Sequence, residues 1–175
     1  MPGLAPLILM LVVIQRAAEL VLAARNRRRL MAAGGVEAGA RHYPLFILLH
    51  GGWLASLFIL VPVDAPVNWA WLAVFVALQA GRVWVIVSLG RQWTTRIIIV
   101  PGTPLVRSGP YRYLRHPNYL VVAGEIAVLP LVFGAWPIAI VFSILNAALI
   151  RHRIRIEDAA LADRRAATAT DAEDS

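Results

Sequence analysis

The stretch "PNYLVVAGEIAVLPLVFGAWPIAIVFSILNAALI", residues 117–150, decides how this chain folds. It holds two apolar runs, 117–133 and 137–150, with only Gly134, Ala135 and Trp136 between them. A helix crosses a bilayer with about 20 mostly apolar residues, and about 17 can suffice. Proline heads each run, at the first helical turn, where its missing N–H costs nothing. The pattern predicts two membrane helices joined as a tight hairpin, with one carboxylate, Glu125, inside the first.

Working outward, three more spans precede the hairpin, at residues 4–24, 44–61 and 69–89. The first has no basic segment before it and no cleavage signal after it, so it reads as a span rather than a leader peptide. Of the 175 residues, 59% are hydrophobic and 15% charged. Soluble domains carry about 45–50% apolar and about 25% charged residues. The expectation is an all-α integral membrane protein of five transmembrane helices, forming one domain over residues 1–161. The small, polar remainder, 162–175, reads as a disordered cytoplasmic tail. No cysteine is present, which excludes disulfides, thiolate metal sites and a thiol nucleophile.

The net charge is +7, and all 17 basic residues are arginine. Such a charge can signal nucleic acid, but these arginines sit in short blocks between apolar spans. Arg25, Arg27, Arg28 and Arg29 follow the first span. Arg91, Arg96, Arg107, Arg112 and Arg115 follow the third, and Arg151, Arg153 and Arg155 the fifth. The other two connections have none. The positive-inside rule then puts the N-terminus outside and the C-terminus in the cytoplasm. Arginine without lysine beside abundant alanine suggests a GC-rich bacterial genome, hence a bacterial cytoplasmic membrane.

The polar chemistry gathers where the hairpin begins, in "GPYRYLRHPNY", residues 109–119. His116 precedes Pro117 and is biased to an extended backbone, so it stands near the N-cap of the next helix. Open N–H groups there, with Arg112 and Arg115, would suit an anionic ligand group. The other reading is an interfacial belt of Tyr and Arg at headgroup depth. In "RHRIRIEDAAL", residues 151–161, Arg153 and Glu157 share one helical face, either as a plain surface pair or as part of a site. A hairpin would bring His116, Tyr119, Arg153 and Glu157 together. Ionisable groups at membrane depth are functional candidates by default. Arg16 and Glu19 can pair with each other. Glu125 either pairs with Arg82 or reaches the substrate pocket as a base. His50 reads as a hydrogen-bonding group between helices. The loop before the motif, residues 90–116, carries a β-prone "RIIIV" patch.

"RSGPYRYLRHPNY" together with "RIRIEDAAL" resembles the isoprenylcysteine carboxyl methyltransferase family. Within it the chain is most similar to a bacterial branch that includes alkylpyrone O-methyltransferases, through "RAAELVLAARNRRRLMAAGGVEAG" and "HYPLFILLH". The chain departs from the family pattern at Asp158, where a second glutamate is usual. Another departure is Gly124, since in eukaryotic members a glycine lies nearer the tyrosine, where this chain has Val121. The resemblance implies S-adenosyl-L-methionine as cofactor, bound in a cytoplasmic pocket of a small membrane bundle. By motif position it implies that Tyr111, His116, Pro117, Asn118 and Tyr119 line that pocket. Thr103, Pro104, Leu105 and Val106 would contribute largely through backbone. Glu157 would hold the cofactor, and Arg153 would be catalytic and face the group being methylated. Gln92 and Arg96 are further candidates. The acceptor would be lipophilic: a lipidic pyrone, phenol or acid, or a prenylated C-terminus. Membrane sterol reductases that use NADPH carry a similar His-Pro-Asn-Tyr motif but a different C-terminal segment. A non-catalytic membrane bundle is the remaining alternative.

Overall fold

The computed structural model describes residues 3–162. The polar tail therefore falls, from residue 163 on, outside the described residues. Five α-helices follow in order: α1 (Leu4–Ala32), α2 (Tyr43–Leu60), α3 (Trp69–Leu89), α4 (Pro117–Val132) and α5 (Trp136–Ala160). Four of them are long and apolar enough to cross a membrane, while α4 is apolar but shorter. With 16 residues it spans about 24 Å, less than the ~30 Å hydrocarbon core. Large side chains such as Leu48, Ile59 and Val87 point outward. Such apolar faces have no place in water and suit lipid. The chain is an all-α integral membrane protein.

The hairpin forms as its sequence suggests. Pro117 opens α4, and His116 before it, at φ −133° and ψ 56°, is neither helical nor, as its place before proline suggests, extended. At the other end Gly134 takes φ +68°, the left-handed conformation glycine tolerates. Its N–H bonds the Leu131 carbonyl at 3.1 Å, and the Ala135 N–H reaches the Pro130 carbonyl at 2.9 Å. This glycine-closed cap ends α4 and turns the chain directly into α5. Leu129, Val132 and Ile126 are fully buried and pack in one core with Leu57 and Trp53 of α2 and Phe75 of α3.

The two ends of the bundle differ in character. At one end, Asn68 caps α3 by accepting from the N–H groups of Ala70 and Trp71. Its own N–H bonds the Val132 carbonyl at 2.8 Å, which holds the start of α3 level with the end of α4. Gly3 packs against Val63 and Asp64 at this same end. The other end carries the arginine blocks. There α1 runs beyond its apolar stretch through Arg25–Arg29, and α5 continues through Arg151–Arg155. A two-stranded antiparallel sheet closes this end, with β1 (Val36–Ala38) paired to β2 (Ile97–Ile99) in the register Val36 to Ile99. The "RIIIV" patch supplies β2; its partner β1 carried no strand signal in sequence.

Asn26 ties these parts together. It is buried in α1, and its side-chain amide donates to the carbonyls of Gly90, at 3.1 Å, and Trp93, at 2.8 Å. That fixes the chain leaving α3, and with it the wall of the site described next.

Candidate active site

A cavity of about 410 Å³ opens at the arginine-rich end, between the segment after α3, the turn before α4 and the end of α5. Its walls include Leu105, Val106, Tyr111, His116, Asn118, Tyr119, Arg153 and Glu157, together with Gln92 and Arg96. Eight residues expected at a site from the sequence are thus in one wall, and both further candidates join them. Thr103, Pro104 and Pro117 do not line it. Pro117 stands behind, as the first residue of α4.

The centre is a polar chain running across the hairpin. The Nε of Arg153 donates to the Tyr119 hydroxyl at 2.8 Å, and that hydroxyl donates to Glu157. Arg153 and Glu157, one helical turn apart on α5, therefore meet through a phenol from α4. Arg153 is buried, a placement arginine reaches only when paired. Its Nη2 donates to the Thr95 carbonyl at 2.7 Å, and its guanidinium lies 5.0 Å from the centre of the Phe46 ring. Nη1 has no partner among the described residues. His116 stacks on Tyr119, with ring centres 5.6 Å apart. Its Nε2 stands 3.1 Å from Asp158 and its Nδ1 4.0 Å from Glu157. Asp158, where the family pattern has glutamate, still reaches the imidazole. Tyr111 lines the cavity from the turn before α4. Burial first, and the negative charge of Glu157 second, push its phenol pKa well above the usual tyrosine value, so it stays a neutral donor.

Two expectations change. The start of α4 is less open to an anion than its sequence suggested, because the N–H groups of Tyr119 and Leu120 bond the His116 carbonyl. Glu125 is not in the cavity wall. Of the two positions open to it, it takes the pairing with Arg82, away from the cavity. The Arg82 Nε donates to it at 2.7 Å and a second guanidinium nitrogen bonds its other oxygen. Gln79 donates at 2.8 Å and Arg16 at 3.2 Å. A carboxylate already accepting four bonds has little capacity left for a substrate proton. Glu19 completes the cluster, 2.9 Å from Arg16 and 3.3 Å from Arg82. The Arg16–Glu19 pair expected from spacing is real but belongs to this larger network across α1, α3 and α4. His50 bonds the Phe46 carbonyl of its own helix, at 2.9 Å, rather than a neighbouring one.

The wall also holds groups that sequence did not mark, including Trp93, Thr94 and Leu114. The signal of Trp93 and Thr94 is weak in a single sequence, because the chain there is placed by Asn26 from a distant helix.

These features define a multi-pass membrane protein with a small-molecule cavity of mixed charge at one end of its helices. Residues 71–163 match the model of the isoprenylcysteine carboxyl methyltransferase (ICMT) family, and the chain belongs to that family: it is a membrane methyltransferase. Among relatives, it is 41% identical over 160 residues to the uncharacterized protein YpbQ of Bacillus subtilis (strain 168), covering 89% of this chain and 95% of that one. An uncharacterized protein of Haemophilus influenzae is 27% identical over 151 residues, covering 82% of this chain and 86% of that one. No solved structure matches the chain.

Proposed function

We propose that the protein transfers a methyl group from S-adenosyl-L-methionine to an oxygen of a lipophilic acceptor. The whole described bundle acts as one methyltransferase domain. The observation that carries this is the chain Arg153–Tyr119–Glu157, gathered from α4 and α5 into one cavity within the family-matched region. The cavity fits such a cofactor. Its volume of about 410 Å³ lies within the about 300–1,000 Å³ of small-molecule sites. Tyr111 and His116 offer ring faces for a purine, Glu157 an acceptor for ribose hydroxyls or a neighbour for a sulfonium, and Asn118 further polar contacts. When bound, the cofactor supplies an electrophilic methyl on a positively charged sulfur.

The protein's part is positioning, since in-line displacement depends on holding two reactants in one geometry. Arg153 is fixed by Tyr119 and Thr95, and its remaining Nη1 is available to orient an acceptor oxygen and favour its ionised form. Both nitrogens of His116 face carboxylates, and Glu157 is engaged by Tyr119. With no open base in this wall among the described residues, the arrangement favours an oxygen that is ionised without help, a carboxylate or an acidic enol, over a simple alcohol. A lipidic acid or pyrone fits this better than an ordinary phenol. The acceptor reaches Arg153 from the lipid, between aliphatic helix faces.

Titration calorimetry of the detergent-purified protein tests the reading. S-Adenosylhomocysteine is expected to bind, and NADPH to give no heat. The reverse result would transfer the cavity to a reductase.

The arginine-rich end faces the cytoplasm in this proposal, with the N-terminus outside. A reporter fused after Arg29 or after Ser175 is expected to read cytoplasmic, and one near Asp64 external. A cytoplasmic signal near Asp64 overturns both the orientation and the count of five crossings.

A further inference from the structure

The arginine-rich end has three carboxylates among the described residues: Glu37, Glu157 and Asp158. The last two belong to the cavity wall and its His116. Glu37 lies outside the family-matched region, on β1, and is the sole acidic residue between Glu19 and Asp64. Its side chain is only 13% exposed, although it sits on a short strand at the bundle's edge. It bonds Arg96, and it lies 3.4 Å from Arg27 of α1. Arg96 immediately precedes β2 and lines the cavity. Its guanidinium is held on a second side by the Tyr43 ring, whose centre is 4.0 Å from Cζ. The Tyr43 hydroxyl is 3.1 Å from the Thr95 hydroxyl, so the same aromatic also fixes the residue before Arg96. The Nε and Nη2 of Arg96 have no partner among the described residues.

An arginine on the protein surface does not need such a frame. Exposed pairs contribute little, because holding two long side chains in one geometry costs entropy. Here one edge is taken by Glu37 and one face by Tyr43, and the residue still borders the cavity. A guanidinium held this way presents a planar pair of donors that matches a carboxylate. We propose that Glu37 is a positioning residue: it holds Arg96 in the cavity wall so that Arg96 grips the carboxylate at the amino-acid end of the bound methyl donor. The proposal rests on reading the cavity as the donor site. It assigns to β1, and so to the loop between α1 and α2, a part in ligand selection that the helical hairpin alone does not supply.

Two ligands separate this from a structural role. S-Adenosylhomocysteine carries the amino-acid carboxylate, and 5′-methylthioadenosine lacks it. The wild-type protein is expected to prefer the first by about tenfold or more. Glu37→Gln is expected to remove that preference, weakening S-adenosylhomocysteine about tenfold and leaving 5′-methylthioadenosine unchanged. Glu37→Asp should restore part of it. The charge swap Glu37→Arg with Arg96→Glu keeps an ion pair but takes the guanidinium from the wall, so the preference should stay lost. If the swap restores it, or if Glu37→Gln weakens both ligands equally or neither, the proposal is overturned. Should Glu37→Gln fail to fold, Arg96→Lys keeps the charge without the planar fork and must show the same selective loss. A wild-type protein that binds neither ligand overturns the donor-site reading itself, and this proposal with it. A wild type that binds both equally overturns the proposal alone.

Discussion

Glu157→Ala is expected to reduce S-adenosylhomocysteine binding by at least about a hundredfold while the protein still elutes from detergent as a folded species. The reason is the number of roles this carboxylate has in one place. It accepts from the Tyr119 hydroxyl, stands 4.0 Å from His116 and borders the cavity. Its removal leaves the Tyr119 hydroxyl, half-buried and bonded to Arg153, without an acceptor. It also removes a negative charge from a wall that keeps Arg96, Arg107, Arg115 and Arg153. A charged hydrogen bond is worth about 1.5–3 kcal/mol, and about 1.4 kcal/mol is tenfold in affinity. Losing one such bond and the frame around it reaches a hundredfold. His116→Ala should weaken binding less, and Pro117→Ala least, since Pro117 starts the helix and does not line the cavity. Unchanged calorimetric affinity in Glu157→Ala would remove Glu157 from the cofactor site.

The second large effect is on stability. Arg82→Ala is expected to destabilise the protein by about 3–5 kcal/mol, the usual cost of removing one partner of a buried ion pair. Glu125 and Arg82 are 4% and 5% exposed, and Arg82 also reaches Glu19. Without Arg82, two carboxylates inside the bundle share only Arg16 and two glutamines. Glu125→Gln keeps the shape and should cost less, leaving turnover of the surviving folded protein close to normal. Equilibrium unfolding in mixed detergent, read beside methylation rate, checks both. A Glu125→Gln protein of normal stability that turns nothing over would return Glu125 to the chemistry.

Much of this architecture was readable from the chain because lipid imposes strong rules. Every span found by hydropathy is a helix, and the Gly134 turn and the Pro117 start fell where local chemistry put them. The motif residues converge because a hairpin brings the start of α4 beside the end of α5. What was not legible depends on partners distant in sequence. Glu125 could pair or react, and its pairing depends on the approach of Arg82, Arg16 and Gln79 from two other helices. β1 is three residues long, too short for a pattern, and exists because β2 offers it an edge. Asn26 reads as one polar residue among arginines, yet it is buried and bonds two carbonyls more than sixty residues away.

The brevity of α4 has a consequence for where two phases meet. Its end is bonded level with the start of α3, so the whole shortfall lies at the arginine-rich end. α3 has 21 residues and α4 has 16, so α4 begins about 8 Å deeper than α3 ends. The start of α4, with His116 and Tyr119, therefore lies at the bottom of a step in the bundle, below the end of α3. In the proposed reaction, a donor dissolved in water would descend that step, and an acceptor dissolved in lipid would arrive at the same depth from the side. Neither would then have to be extracted from its own solvent for the methyl group to pass between them.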